Sequence, residues 1–288
     1  MSEFVIYTDS GCDISPEILA DWGVEWSSLS FRFDDEDREY TAGDMSVKDF
    51  YDRMRAGGSA KTAAVNIGTF LDAFEPILQS GKDILYIGFS SALSTTYNSA
   101  AIAAKQLAAQ YPERKVVTID SLCASAGQGM LVYLAVEKRK SGAAIEQTAA
   151  YLEDLKLQIC HWVTVDDLEY LKRGGRISPT VAFVGNALGL KPQIHVDNSG
   201  SLVSVSKVRG RKKAVAALAD KYGELACEPS NGVVFISHSD CEDDAKSLAD
   251  QLHERYGVTV QIITYIGTVI GAHTGPGTVA LFFVGKER

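Results

Sequence analysis

Hydroxyl side chains crowd one stretch of this chain, Ser90-Ser91-Ala92-Leu93-Ser94-Thr95-Thr96-Tyr97, after a strand-like apolar run and before an alanine-rich, helix-like one. Hydroxyls and free backbone N–H groups at a helix start form a cradle for a carboxylate or phosphate. The plainer use of Ser94 or Thr95 is to cap that helix. Towards the C-terminus, Ala272-His273-Thr274-Gly275-Pro276-Gly277-Thr278 sets a histidine in a turn fixed by glycine and proline, where a ring N–H can meet an oxyanion. Between them, Asp166 can cap a short helix with Leu168 and Leu171 on one face. Gly174-Gly175 stop it in left-handed geometry and launch Arg176, which can aim at an anion.

Catalytic readings of these residues are weaker. Ser94, His273 and a carboxylate such as Asp9 are the residue types of a hydrolytic triad, and Ser94 with His273 could serve a phosphotransferase. No G-x-S-x-G elbow is present, however, and an unstrained helix-cap serine is a poor nucleophile. Neither G-x-x-x-x-G-K-[ST] nor G-x-G-x-x-G occurs, and His161, His195, His238 and His253 lack metal-ligand spacing. No cofactor or metal is expected. Hydroxyls, a histidine and an arginine without an activated base look built to hold an anion.

The surroundings narrow the ligand. A formal net charge of −9 and a pI near 5.1 repel phosphate backbones, so nucleic acid is not an expected partner. One basic run interrupts the acidic chain, Lys207-Val208-Arg209-Gly210-Arg211-Lys212-Lys213. It is a solvated helix start or a docking patch for an acidic partner, with Arg209, Arg211 and Lys212 as its contacts. No apolar stretch is long enough to span a bilayer, and Met1-Ser2-Glu3 leads straight into an apolar run rather than a targeting segment. The five cysteines, Cys12, Cys123, Cys160, Cys227 and Cys241, are scattered and odd in number, and read as reduced thiols of a cytoplasmic protein.

These residues need elements to hold them. With 288 residues, 46% hydrophobic, the chain is long for a single core, and two lobes meeting at a crevice are expected. Residues 4–8, 84–89 and 116–119 read as buried strands, Ser15-Pro16 starts a helix, and residues 97–109 form another. That alternation implies parallel βαβ units, with binding loops at the strand ends: Thr8-Asp9-Ser10-Gly11, Ser90 to Ser94, and Asp120-Ser121. Further on, strands are expected at 159–165, 193–196, 202–208, 233–236, 258–263 and 278–284, a turn at Asp197-Asn198-Ser199-Gly200, and helices at 211–225 and 243–256. The expected fold is α/β in two lobes: an N-terminal parallel-sheet α/β domain over 1–158 and a C-terminal mixed α+β domain over 159–288, with the ligand buried between them.

Four segments in this order resemble one family: T-D-S-G-C-D-I-S at 8–15, S-S-A-L-S-T-T-Y-N-S-A at 90–100, L-K-R-G-G-R-I-S at 171–178 and H-T-G-P-G-T-V-A-L-F-F at 273–283. The chain resembles the DegV family, the fatty-acid-binding group that includes the FakB subunits of bacterial fatty acid kinase. The resemblance implies one long-chain fatty acid enclosed between the lobes. Its carboxylate would be held at the positions matching the family's, Thr62, Ser94 and His273, beside Thr95, with Arg176 as the nearby cation. It also implies a carrier without catalysis of its own, which hands the acid to a separate ATP-using kinase that docks around Arg209 and supplies acyl phosphate to phospholipid synthesis. A lipid-binding sensor would share the pocket.

Overall fold

A computed structural model describes residues 4–177 and 189–288; Met1-Ser2-Glu3 and Ser178, the last residue of the third family segment, lie outside them. The first half begins β1 (Phe4–Asp9), α1 (Pro16–Asp21), β2 (Val24–Ser27), β3 (Ser30–Phe33), α2 (Val47–Arg55) and β4 (Ala60–Ala63). It continues with α3 (Ile67–Gln79), β5 (Asp83–Gly88), α4 (Thr96–Gln110), β6 (Val116–Asp120), α5 (Ala126–Lys140) and α6 (Ile145–Leu155). Strands β2-β1-β5-β6 form a parallel sheet in that order. β5 is buried at every position because helices cover both faces, which explains its unbroken apolar run. Ser15 caps α1 by accepting from Ile18 N, with Pro16 at the first helical position.

The second half comprises β7 (Ile159–Thr164), α7 (Glu169–Arg173), β8 (Leu190–Val196), β9 (Leu202–Arg209), α8 (Arg211–Leu225), β10 (Val234–His238), α9 (Glu242–Tyr256), β11 (Ile262–Tyr265), α10 (Thr268–Thr274) and β12 (Val279–Val284). Its mixed sheet runs β11-β10-β12-β7-β8-β9, with β10 and β11 parallel and the other pairs antiparallel. Strand periodicity sorts its side chains. Cys160, Trp162, Val279, Leu281 and Phe283 pack on α8 and α9, whereas Ala280 and Phe282 join a core shared with β1, β5 and α5. Helix α5 is buried over its first seven residues and lies between the two sheets. Gly127 lets it come that close, because a Cβ there would overlap His161 Nε2.

Two expected elements differ. Residues 258–260 are not in a strand: Gly257 ends α9 in left-handed geometry, and pairing with β10 starts only at Ile262 opposite Phe235. Val258 and Val260 serve as core cover instead, which explains their apolar character. His273 does not sit in an irregular turn: residues 268–274 form α10, and Gly275 (φ 74°) ends it just after the histidine.

Candidate functional site

A cavity of about 470 Å³ lies between the two sheets, within the range of small-ligand sites. Its floor is the inner face of the mixed sheet, where alternate residues point the same way: His161, Val163 and Val165 from β7 and just beyond, Ala280 and Phe282 from β12, Ile194 and Val196 from β8. Phe89, Leu93, Val269 and Ile270 close over it. From Thr278 to Phe282 the floor runs about 14 Å at the usual strand rise.

One end is polar. Thr62 from β4, Ser94 and Thr95 from the loop before α4, Arg176 from the turn after α7, and His273 from α10 all line this one cavity. Thr62 Oγ1 lies 2.8 Å from His273 Nε2, and the histidine's other nitrogen, Nδ1, is buried without a partner among the described residues. An unpartnered buried N–H costs more than an unpartnered acceptor, so the proton is assigned to Nε2. His273 then donates to Thr62, whose own O–H is free to donate into the cavity. Burial, aided by the charges of Arg176 and Arg173, pushes the His273 pKa down to about 4, so the ring is neutral near pH 7. Ser94 Oγ accepts from Thr96 N at 3.2 Å and lies 2.9 Å from Thr96 Oγ1. Ser94 thus supports the start of α4 while facing the cavity, whereas Thr95, the N-cap residue, makes no side-chain capping bond.

Among the described lining residues Arg176 is the one cation and there is no carboxylate. Its guanidinium is not free: Nε and Nη2 donate to Leu93 O at 3.2 and 2.9 Å, and Nη1 donates to Gly174 O at 2.6 Å. It ties the serine loop to the α7 turn and lends positive potential there. The two glycines before it have different tasks. Gly175 adopts φ 68°, as its place at a helix stop requires. Gly174 is right-handed and is needed for space, since a Cβ there would overlap His273 Nδ1.

Several expectations change. The first nitrogen of α7 is served by Asp167, which accepts from Glu169 N, and not by Asp166, which pairs with Lys191 and Arg211. Asp9 is not part of a triad: it is buried in its own nest, accepting from Tyr86 Oη at 2.6 Å and from Phe89 N and Gly11 N at 3.0 Å. His273 is bonded to Thr62 rather than Ser94, so Ser94, His273 and Asp9 do not assemble. Asp9 and Asp120 are scaffolding for the serine loop, Asp120 accepting from Ser91 N. In the basic segment Arg209 and Lys212 are exposed, but Arg211 is half-buried and engaged by Asp244 at 2.9 Å and Asp166 at 3.5 Å, so it is not free to dock a partner.

Pattern reading missed Ser125, which lines the cavity, and Asp13 behind it. Ser125 Oγ donates to Asp13 Oδ2 at 2.6 Å and lies 2.9 Å from Ser237 Oγ, while Gly267 N donates to Asp13 Oδ1 at 2.9 Å. Ser125 has φ 54° and ψ −146°, a conformation that costs on the order of 1–3 kcal/mol for a non-glycine residue. Asp13 carried a signal only as part of the first family segment.

Among the described residues no group of His, Cys, Asp and Glu has the arrangement of a metal site, and no helix is long and apolar enough to cross a membrane. The model of the family described as "Uncharacterised protein, DegV family" matches residues 3–286. A DegV domain-containing protein of Clostridium perfringens is 40% identical over 289 residues, covering 100% of this chain and 99% of that relative. The solved structure described as fatty acid binding of a DegV family protein from Thermus thermophilus is similar with a TM-score of 0.88 at 27% identity, covering 99% of this chain and 100% of the other. A stearic acid-binding protein from Eubacterium ventriosum has a TM-score of 0.88 at 26% identity, with 98% of each chain covered.

Proposed function

This chain belongs to the DegV family, and from that membership we propose that it binds one long-chain fatty acid in the cavity and presents the carboxylate to a separate kinase. The observation that carries the reading is the cavity's polarity among the described residues: a largely apolar floor leading to one end with hydroxyls, a neutral histidine and a single cation, and no acid. Each methylene buried contributes about 0.8 kcal/mol, so an acyl chain of roughly fifteen supplies on the order of 12 kcal/mol before the costs of association. A bare carboxylate would cost several kcal/mol to bury. Donation from Ser94 and from Thr62, itself polarised by His273, offsets that cost and fixes where the carboxylate oxygens sit. The similarity to the fatty acid-binding protein from Thermus thermophilus and the stearic acid-binding protein from Eubacterium ventriosum supports the ligand class.

Native mass spectrometry of the purified protein is the direct test. A mass addition matching a fatty acid is expected, and Ser94→Ala should weaken rebinding to delipidated protein by about 10-fold, the worth of one charged-acceptor hydrogen bond. Unchanged affinity in Ser94→Ala would move the headgroup elsewhere. With an ATP-using kinase added, the bound acid should become acyl phosphate. Charge reversal at exposed Arg209 should slow that transfer far more than it slows acid binding, because docking of an acidic partner depends on surface charge. Equal transfer rates would remove Arg209 from the docking surface.

The two glycines give an independent check. Gly174→Ala pushes on His273 and is expected to weaken acid binding by about 10-fold through the Thr62 relay. Gly175→Ala meets no neighbour, so it should cost about 1 kcal/mol of stability from its left-handed backbone while binding stays intact. Fluorescent fatty acid displacement and thermal melts on both variants separate the two effects; equal binding by both would mean that the position of His273 is unimportant.

A further inference from the structure

Away from the headgroup end and the serine loop, two polar side chains among the described residues line the cavity wall: His161 and Ser125. His161 is closed off, with Nδ1 donating to Ile159 O at 2.9 Å and Nε2 accepting from Ala124 N at 3.3 Å. Ser125 is different. A hydroxyl has one donor and two acceptor positions. With Asp13 ionised Ser125 donates to it and accepts from Ser237, and with Asp13 protonated it accepts from Asp13 and donates to Ser237, so in both states one acceptor position is left. Neighbouring wall positions are Ala124 and Ala280, so a hydroxyl is not needed there to fill space. The chain nevertheless keeps Ser125 in left-handed geometry, with its polar support buried behind it. Register fixes how far along the cavity this lies. Ser237 is opposite Ala280, which is opposite Val163, whereas the headgroup end lies towards Thr278 and the far end at Phe282 opposite His161.

We propose that the cavity accepts long-chain acids carrying a hydroxyl on an interior carbon, that hydroxyl donating to Ser125 Oγ while Asp13 and Ser237 hold Ser125 in place. This rests on the fatty acid reading of the same cavity and narrows it to a substrate class. A plain methylene chain passing this point leaves a buried acceptor against hydrocarbon. A chain with a hydroxyl at the right carbon satisfies that acceptor and keeps its own polar group paired. A hydroxyl at another interior carbon is stripped of water and meets apolar wall or His161, whose two ring nitrogens are already bonded.

The test is competition binding to delipidated protein with octadecanoic acid and a positional series of monohydroxy-octadecanoic acids. One interior isomer, or two adjacent ones, should bind at least as tightly as octadecanoic acid, and isomers with the hydroxyl further along should bind about 10- to 100-fold more weakly, the penalty of an unpaired buried hydroxyl. In Ser125→Ala the favoured isomer should lose about 10-fold relative to octadecanoic acid measured on the same variant. If every isomer is disfavoured to a similar degree by the parent protein, the inference is overturned while octadecanoic acid binding still stands. Persistence of the positional optimum in Ser125→Ala overturns the assignment to Ser125. Failure of octadecanoic acid itself to bind overturns the underlying reading. The parent series decides by itself, so the result does not depend on how well the variant folds.

Discussion

Replacing Val163 with phenylalanine is expected to lower fatty acid affinity by at least about 100-fold, because the larger ring occupies space that the acyl chain needs. Val163 sits on β7 opposite Ala280 and Ile194, and its side chain faces the cavity from the middle of the floor. Added volume in a filled core usually costs 1–3 kcal/mol through displaced neighbours. Here the ring enters a void, so the ligand-free variant should melt close to the delipidated parent. The loaded parent should melt higher than both, since a ligand at about 1,000 times its Kd stabilises by roughly 4 kcal/mol. Val163→Ala enlarges the same space and should change affinity by only a few-fold. Titration of both variants with octadecanoic acid, alongside melts with and without lipid, separates blockage from misfolding. Normal affinity in Val163→Phe would place the ligand somewhere other than this cavity.

The fold was readable where local physics determines local structure. The apolar runs of β1 and β5 mark strands buried at nearly every position, the β-branched Val116-Val117-Thr118-Ile119 marks the half-buried edge strand β6, and α8 is bounded by Gly210 before Arg211 and by Ala226 after Leu225, as expected from its pattern. The site was less readable, because its members are set by pairings across the chain. Thr62 lies in β4, whose sequence Ala60-Lys61-Thr62-Ala63 has no apolar alternation; it is a strand because β3 pairs with it, and Thr62 was reachable only through family resemblance. The bond between Thr62 and His273 spans 211 positions, and that between Asp13 and Ser125 spans 112. Glycine and proline around His273 hid a two-turn helix because they punctuate its end rather than its body. Arg211 read as a surface cation because nothing local announces Asp166 and Asp244 as its partners.

Asp13→Asn is expected to raise stability at pH 8 by several kcal/mol and to change it little at pH 4, the reverse of what removing a paired carboxylate normally does. Burial pushes the Asp13 carboxyl up to about 7, and the charge of Asp9 adds to this, against the pull of its bonds from Ser125 and Gly267 N. The folded protein therefore holds this proton at pH values where the unfolded chain has released it. Stability from this group is fully present below about pH 4 and falls as pH rises towards 7, by about 4 kcal/mol in all. Above pH 7 both states are ionised and the loss is complete. Asparagine imitates the protonated acid: its oxygen can accept from Gly267 N, its amide can donate to Ser125, and it tolerates the left-handed φ of 51° at this position. His273 titrates with the opposite sign, since its folded pKa lies below the unfolded one and its contribution is lost as pH falls through 6.5 towards 4. The two slopes oppose each other in the parent, so a single melting curve against pH hides both. Subtracting the parent curve from that of Asp13→Asn isolates the carboxyl, and the difference should grow steadily from pH 4 to pH 7 and then level off. Parallel curves across that range would mean that Asp13 ionises as freely folded as unfolded, and that the wall behind Ser125 is wet rather than sealed.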